Sequence, residues 1–193
     1  MVKALVFDMN GLFVEAQEKR ILKKICSIKR IDPWIAESNY YLNLWNFQKG
    51  FFSPFAFWKK VFPFISEQEY KAFVEAEYEK RFEKNFELYS LCEQLSKKYA
   101  LYCISNSNFL QGKAYRKQKL YSPFKELFLS HELGEMKPFS GAYKKFLEKT
   151  ELKASECLFI DDSRINVLSA MLLGFKGIVY KDFESLSEKL NSL

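Results

Sequence analysis

A short apolar run from Ala4 to Phe7 leads straight into Asp8, and two residues later come Asn10 and Gly11. An aspartate where a buried strand meets a glycine turn can attack a phosphoryl group or help hold a magnesium ion. A second carboxylate two places on would hand out the proton that such chemistry needs. Asn10 occupies that place, and it can offer a carbonyl but no proton.

Other polar groups recur directly after apolar runs. Ser105 and Asn106 follow Leu101 to Ile104, Lys137 stands in the Gly134–Pro138 segment, and Asp161 and Asp162 follow Cys157 to Ile160. Together they form a coherent chemical set. Asp8 can act as a nucleophile toward phosphorus, and Ser105 and Asn106 can donate hydrogen bonds to phosphoryl oxygens. Lys137 can neutralise charge on both partners. Asp8 and Asp162, with Asp161 beside them, offer the hard oxygen ligands that suit Mg²⁺. A pair of aspartates can equally cap a helix, so Asp161 and Asp162 gain their meaning from the company of the other groups.

These groups need a scaffold that brings strand ends together. Ala4–Phe7, 101–104, 127–129, 157–160 and 177–180 read as short strands, with helical stretches between them. That alternation predicts an α/β fold with a parallel sheet covered on both faces, whose strand ends share one edge. From about Val14 to Phe86 the alternation stops and only helical signals occur. Asp32-Pro33 and Ser53-Pro54 are helix starts, Lys49-Gly50 is a stop, and Ser66 with Glu69 makes a capping box ahead of a segment reaching about Phe82. The expected organisation is therefore a core of residues 1–13 and 87–193 with an all-helical cap, 14–86, inserted after the first strand and placed to act as a lid. Phe and Tyr concentrate between Tyr40 and Phe86, as expected of an aromatic-cored module.

Composition narrows the partners. The 193 residues suffice for one core and a small appended domain. The net charge of +6 comes from 30 basic residues interleaved with 24 acidic ones, a spread that argues against nucleic acid and suits an anionic small molecule. The four cysteines make no CxxC pair and the single histidine, His131, forms no zinc-like spacing, which points to reduced thiols in the cytoplasm. No run approaches a membrane span of about 20 residues, and Met1 runs directly into a strand, so no leader or membrane partner is expected. Oligomeric state is not encoded in any recognisable pattern.

With those residues in view, the chain resembles the haloacid dehalogenase superfamily along nearly its whole length. Asp8-Met9-Asn10-Gly11 is similar to the family's first motif, Asp-x-Asp-Gly. Leu101–Ser105 is similar to the second, Ser130–Pro138 with Lys137 to the third, and Phe159–Val167 with Asp161 and Asp162 to the fourth. The resemblance is strongest to a branch with a helical cap, similar to bacterial glucose-1-phosphate phosphatases and the phosphatase domain of soluble epoxide hydrolase. It implies a Rossmann-like core, Mg²⁺ on Asp8, Asp162 and the Asn10 backbone carbonyl, and phosphate on Ser105, Asn106 and Lys137. It further implies hydrolysis of a small phosphorylated metabolite through an aspartyl-phosphate, with cap closure shielding it.

Asn10 departs from the common pattern. It leaves open a slow or specialised phosphatase, a non-catalytic phosphate-binding relative, or a residue introduced to trap an intermediate. The resemblance also admits a metal-independent haloacid dehalogenase, against which the Asp161-Asp162 pair stands. Asn10-Gly11 is in addition a context prone to deamidation, which would regenerate an aspartate. Substrate choice is expected to reside in the lid, where Lys49 and the aromatic residues of the 47–51 loop could meet the substrate, but the favoured reading of that loop is that Gly50 only ends a helix and Phe51-Phe52 pack inward.

Overall fold

The computed structural model describes residues 1–191. Five parallel strands form one sheet in the order β3-β2-β1-β4-β5. They are β1 (Ala4–Phe7), β2 (Ala100–Ser105), β3 (Glu126–Leu129), β4 (Cys157–Asp161) and β5 (Lys176–Val179). Each matches an apolar run read from the sequence, with boundaries shifted by one residue or so. In register, Phe7 of β1 lies between Cys103 of β2 and Ile160 of β4. Asp8, Ser105 and Asp161 consequently emerge from adjacent strands at the same edge.

All four residues of β1 are fully buried, as a strand covered on both faces must be. Side-chain alternation splits them between two packed layers. Leu5 and Phe7 join Leu101, Cys103, Leu158 and Ile160 on one face. Ala4 and Val6 join Tyr102, Ile104, Phe159, Tyr143 and Phe146 on the other.

Between β1 and β2 the chain is helical. It forms α1 (Glu18–Lys29), α2 (Pro33–Gln48), α3 (Pro54–Val61), α4 (Glu67–Tyr70), a π-helical turn (Lys71–Glu75) and α5 (Ala76–Glu79). The start signals operate as their chemistry requires. Asp32 accepts from the Trp34 N–H, Ser53 from the Ala56 N–H, and Ser66 and Glu69 complete a reciprocal capping box. Gly50 ends α2 with φ +80°, and a Cβ there would lie 2.5 Å from the His131 carbonyl oxygen. Phe47 stacks on Phe57 at 3.9 Å, and Trp58, Val61 and Phe62 are buried around them, which accounts for the aromatic density. The long segment expected to reach Phe82 stops at Glu79. Phe82 instead gives its N–H to Gln118, whose own amide donates to the Lys80 carbonyl.

The remaining helices are α6 (Phe86–Leu95), α7 (Phe109–Lys117), α8 (Ser130–Leu133), α9 (Ser140–Thr150), α10 (Arg164–Leu172) and α11 (Phe183–Asn191), with a single 3₁₀ turn at Ala154–Glu156. Among the described residues, no helix is long and apolar enough to cross a membrane. The four cysteines are free and buried.

Candidate functional site

The strand-end groups converge. Lys137, 1% exposed, places its ammonium 2.9 Å from Oδ1 of Asp8 and 2.6 Å from Oδ2 of Asp161. Two grips hold it there. The Asn106 side chain accepts from the Lys137 N–H and donates to the Lys137 carbonyl, both at 2.8 Å, and the ammonium lies 5.5 Å from the centre of the Phe159 ring. Two ammonium protons are thus committed to carboxylates, and a third is left for a ligand.

The three aspartates have different duties. Asp8 Oδ1 accepts from the Met9 N–H at 2.6 Å as well as from Lys137, so Oδ2 is the oxygen that protein donors leave open. Asp161 is saturated: Oδ1 accepts from the Ser163 N–H and the Asn166 amide, and Oδ2 from Asn166 and Lys137. Asp162 stands beside Gly11, whose φ of +79° and missing Cβ make room for its carboxylate. Ligand oxygens of Asp8, Asp161 and Asp162 lie within 4.8 Å of one another. That hard-oxygen set fits a small divalent cation. Because four hydrogen bonds from three donor groups already occupy Asp161, Asp8 and Asp162 are the members with oxygen to offer, and Asp161 acts by fixing Lys137.

Electrostatics follow from burial. Desolvation raises the Asp8 carboxyl, Lys137 lowers it and the Asp161 charge raises it again, leaving it at about 6. Desolvation pulls the Lys137 ammonium down, but the two carboxylates more than offset this and hold it charged, above its ordinary range. Burial and the Asp161 charge also raise Asp162.

Asn10 is locked in place. Its Oδ1 accepts from the Tyr115 hydroxyl at 2.8 Å and its amide donates to the Asn106 carbonyl at 3.4 Å. The Gly11 N–H is itself tied to the Val14 carbonyl at 2.9 Å. Deamidation requires the Asn10 side chain and that nitrogen to meet, and both are held elsewhere in the folded chain. Ser105, at the end of β2, is 2% exposed, and its hydroxyl has no hydrogen-bond partner among the described residues. An orphaned buried donor of that kind implies a missing acceptor. Asn106 also lines the cavity; its side chain holds the Lys137 backbone and retains one amide hydrogen.

Asp8, Asn10, Asn106, Lys137 and Asp162 line a cavity of about 360 Å³. Tyr40, Tyr41 and Gln48 of α2 and Glu18 of α1 also face it, so the inserted helices form part of its wall. Lys49 does not reach it. That ammonium lies over the Trp45 and Phe51 rings and 3.5 Å from Glu135. Phe47 is buried in the aromatic core and Phe51 is exposed, so of the 47–51 loop only Gln48 contributes to the cavity.

Sequence reading missed Glu18. It opens α1 as any helix-starting acid would, yet it is buried. Its Oε1 accepts from the Tyr78 hydroxyl at 2.9 Å and from Asn108 at 2.7 Å, and its Oε2 from Gln111 at 3.3 Å.

No family model matches this sequence. Solved structures do resemble it. A HAD family enzyme of Bacteroides thetaiotaomicron, BT-2542, in complex with magnesium and inorganic phosphate superposes with TM-score 0.78 at 23% identity, over 96% of this chain and 99% of that one. The chain has the fold of the haloacid dehalogenase (HAD) superfamily. The putative-HAD hydrolase YfnB of Bacillus subtilis, bound to magnesium, gives TM-score 0.69 at 20% identity over 98% and 99% of the two chains. L-2-haloacid dehalogenase from Xanthobacter autotrophicus gives 0.66 at 17% identity, over 100% of this chain and 83% of that one. The HAD fold thus hosts both metal-bound relatives and a dehalogenase, and the chemistry must be argued from the site.

Proposed function

We propose that this chain is a magnesium-dependent phosphomonoesterase of the HAD superfamily, working through an aspartyl-phosphate on Asp8. The observation that carries this reading is the buried Lys137 bridging Asp8 and Asp161 on the floor of a cavity that also holds Asp162. Asp8, Asp162 and the Asn10 backbone carbonyl would hold Mg²⁺. When bound, the ion would neutralise phosphoryl charge and orient the ester.

The side chains supply the rest. Asp8 Oδ2 attacks phosphorus while Oδ1 stays anchored on Met9 and Lys137. The ester P–O bond breaks and its electron pair leaves on the alcohol oxygen, which takes a proton from water. The third Lys137 proton, the orphaned Ser105 hydroxyl and the remaining Asn106 amide hydrogen stabilise phosphoryl oxygens. A second water then attacks the acyl phosphate, releasing inorganic phosphate and regenerating the Asp8 carboxylate. Asn10 can move no proton in either half, so turnover is slow, by about 10²–10⁴-fold relative to an enzyme with the full acid–base group.

The helices of residues 14–86 serve as the cap of a core made from 1–13 and 87–193, and their side chains choose the substrate, a small phosphorylated metabolite. The free, buried cysteines support a reducing, cytoplasmic setting. The test is p-nitrophenyl phosphate hydrolysis with Mg²⁺ and with chelator, for the parent, Asn10→Asp and Asp8→Ala. Weak magnesium-dependent release by the parent, lost in Asp8→Ala, supports the reading. Silence from both parent and Asn10→Asp, with phosphate still bound, would make the protein a phosphate-binding relative. Chloride release from 2-chloropropionate without metal would make it a dehalogenase.

A further inference from the structure

The cavity that holds Lys137 is also lined by a buried carboxyl group, Glu18, with no positive partner. Glu18 is held by side-chain donors from Tyr78, Asn108 and Gln111 and by the backbone N–H groups of Gln17 and Glu18, and no lysine or arginine among the described residues forms an ion pair with it. Burial raises the Glu18 carboxyl, and a cationic partner is what would favour its ionised form in that position. Dipolar donors fix the carboxyl group in place but bring no positive charge to it.

Two aromatic rings share that part of the cavity. Tyr40 and Tyr41 both line it and meet edge to face at 5.3 Å. Aromatic rings beside a buried carboxyl group make surroundings complementary to a cation, and particularly to a weakly hydrated ammonium. The only basic side chain on this wall, Lys19, is exposed, where its long stem can carry its charge into solvent.

Resting on the phosphomonoesterase reading, we infer that Glu18, Tyr40 and Tyr41 form a subsite for a cationic nitrogen on the alcohol portion of the ester. The substrate class is a phosphate monoester of an amino alcohol, with its phosphoryl group at Asp8 and Lys137 and its ammonium at Glu18. An anionic leaving group is rejected by the same wall, and a neutral polyol gains only hydrogen bonds from it. Glu18 therefore acts in specificity and takes no part in bond making.

Calorimetry in the presence of Mg²⁺ tests this with phosphocholine, phosphoethanolamine and neohexyl phosphate, the last being phosphocholine with carbon in place of nitrogen. Hydrolysis of the same three esters, read as released phosphate, is measured in parallel. The parent protein is expected to bind at least one ammonium ester about tenfold more tightly than the neutral isostere. Glu18→Gln should collapse that ratio to about one. Glu18→Asp should restore part of it, and Tyr78→Phe, which removes a hydrogen bond but keeps the charge, should retain it. Equal affinity for the charged and neutral esters in the parent overturns the inference. So does a Tyr78→Phe variant that loses the ratio as fully as Glu18→Gln, since Glu18 would then serve only to join helices. Release from p-nitrophenyl phosphate separates the two levels. If that ester is cleaved and no ammonium preference exists, the subsite fails alone. If no ester is cleaved by the parent or by Asn10→Asp, the phosphatase reading fails, while the binding ratio still judges the subsite.

Discussion

The Tyr115 hydroxyl donates to Oδ1 of Asn10 at 2.8 Å, while Nδ2 of the same amide faces the Asn106 carbonyl oxygen at 3.4 Å. One side of residue 10 therefore meets a donor and the other meets an acceptor, an arrangement suited to an amide. It equally suits a protonated carboxyl, which would accept from Tyr115 and donate to Asn106.

An aspartate at this position would be held toward its protonated form, because an ionised oxygen against the Asn106 carbonyl is disfavoured. That is the form which can protonate a departing alkoxide. Asn10→Asp is expected to raise kcat on alkyl phosphates by about 10²-fold or more. The gain on p-nitrophenyl phosphate should be smaller, since its leaving group needs little protonation. Steady-state kinetics on the two ester types checks this, and an equal gain on both would show that residue 10 acts through the water step alone.

The strand ends were legible because each depends on a local pattern. An apolar run of four or five residues is followed at once by Asp8, Ser105 or Asp161, and parallel pairing does the rest. What escaped the sequence depends on distant partners. Glu18 owes its burial to Tyr78 and Asn108, 60 and 90 residues away, and nothing near it distinguishes it from a helix-starting acid on the surface. Lys49 was ambiguous in sequence for the converse reason. Its charge and the adjoining aromatics suggested the cavity, but Trp45, Phe51 and Glu135 retain it. Asp161 looked identical in kind to Asp162, and only its four hydrogen bonds reveal that it positions a lysine. The π-helical turn within 71–75 has no signature in the capping pattern, and it interrupts a helix that periodicity alone would have extended.

Gly11 couples backbone shape to metal affinity. With φ at +79° an alanine is strained, and its Cβ would press into Asp162 Oδ2. Gly11→Ala should weaken Mg²⁺ binding at least tenfold by calorimetry, while far-ultraviolet circular dichroism stays that of the parent. Unchanged magnesium affinity in a folded Gly11→Ala protein would remove Asp162 from the metal site.

Removing the ammonium at the centre of the site leaves two buried carboxylates unpaired. Lys137→Met is expected to destabilise the fold by about 3–5 kcal/mol near neutral pH. The sign of its pH dependence follows from the direction of the shifts. Asp8 is already raised to about 6 with the lysine present, and losing Lys137 raises it further. A carboxyl raised in the folded state favours folding when protonated, so stability returns as pH falls through that raised value. Thermal melts of parent and variant should therefore converge between pH 8 and pH 5, and a gap that widens on acidification would contradict the assigned charge state.

A cluster centred on the buried Glu77, with partly exposed basic partners, gives the opposite dependence and serves as a counterpart to the site. Glu77 is contacted by Arg20, Lys24 and Lys80 at 3.0, 2.8 and 2.6 Å. Desolvation raises its carboxyl, but the hydrogen bonds and charges of Lys24 and Lys80 prevail and hold it at about 2. A carboxylate lowered in this way contributes stability that is complete above its ordinary value of 4.5 and disappears as pH falls toward 2. Its basic partners are partly exposed and screened by solvent, so Glu77→Gln should cost only about 1 kcal/mol at neutral pH, or about 2–4 °C in Tm. The difference should shrink steadily below about pH 4 and diminish in high salt. Melting curves across that range check it, because a deficit independent of both pH and salt would mean that Glu77 stabilises α5 by packing rather than by charge.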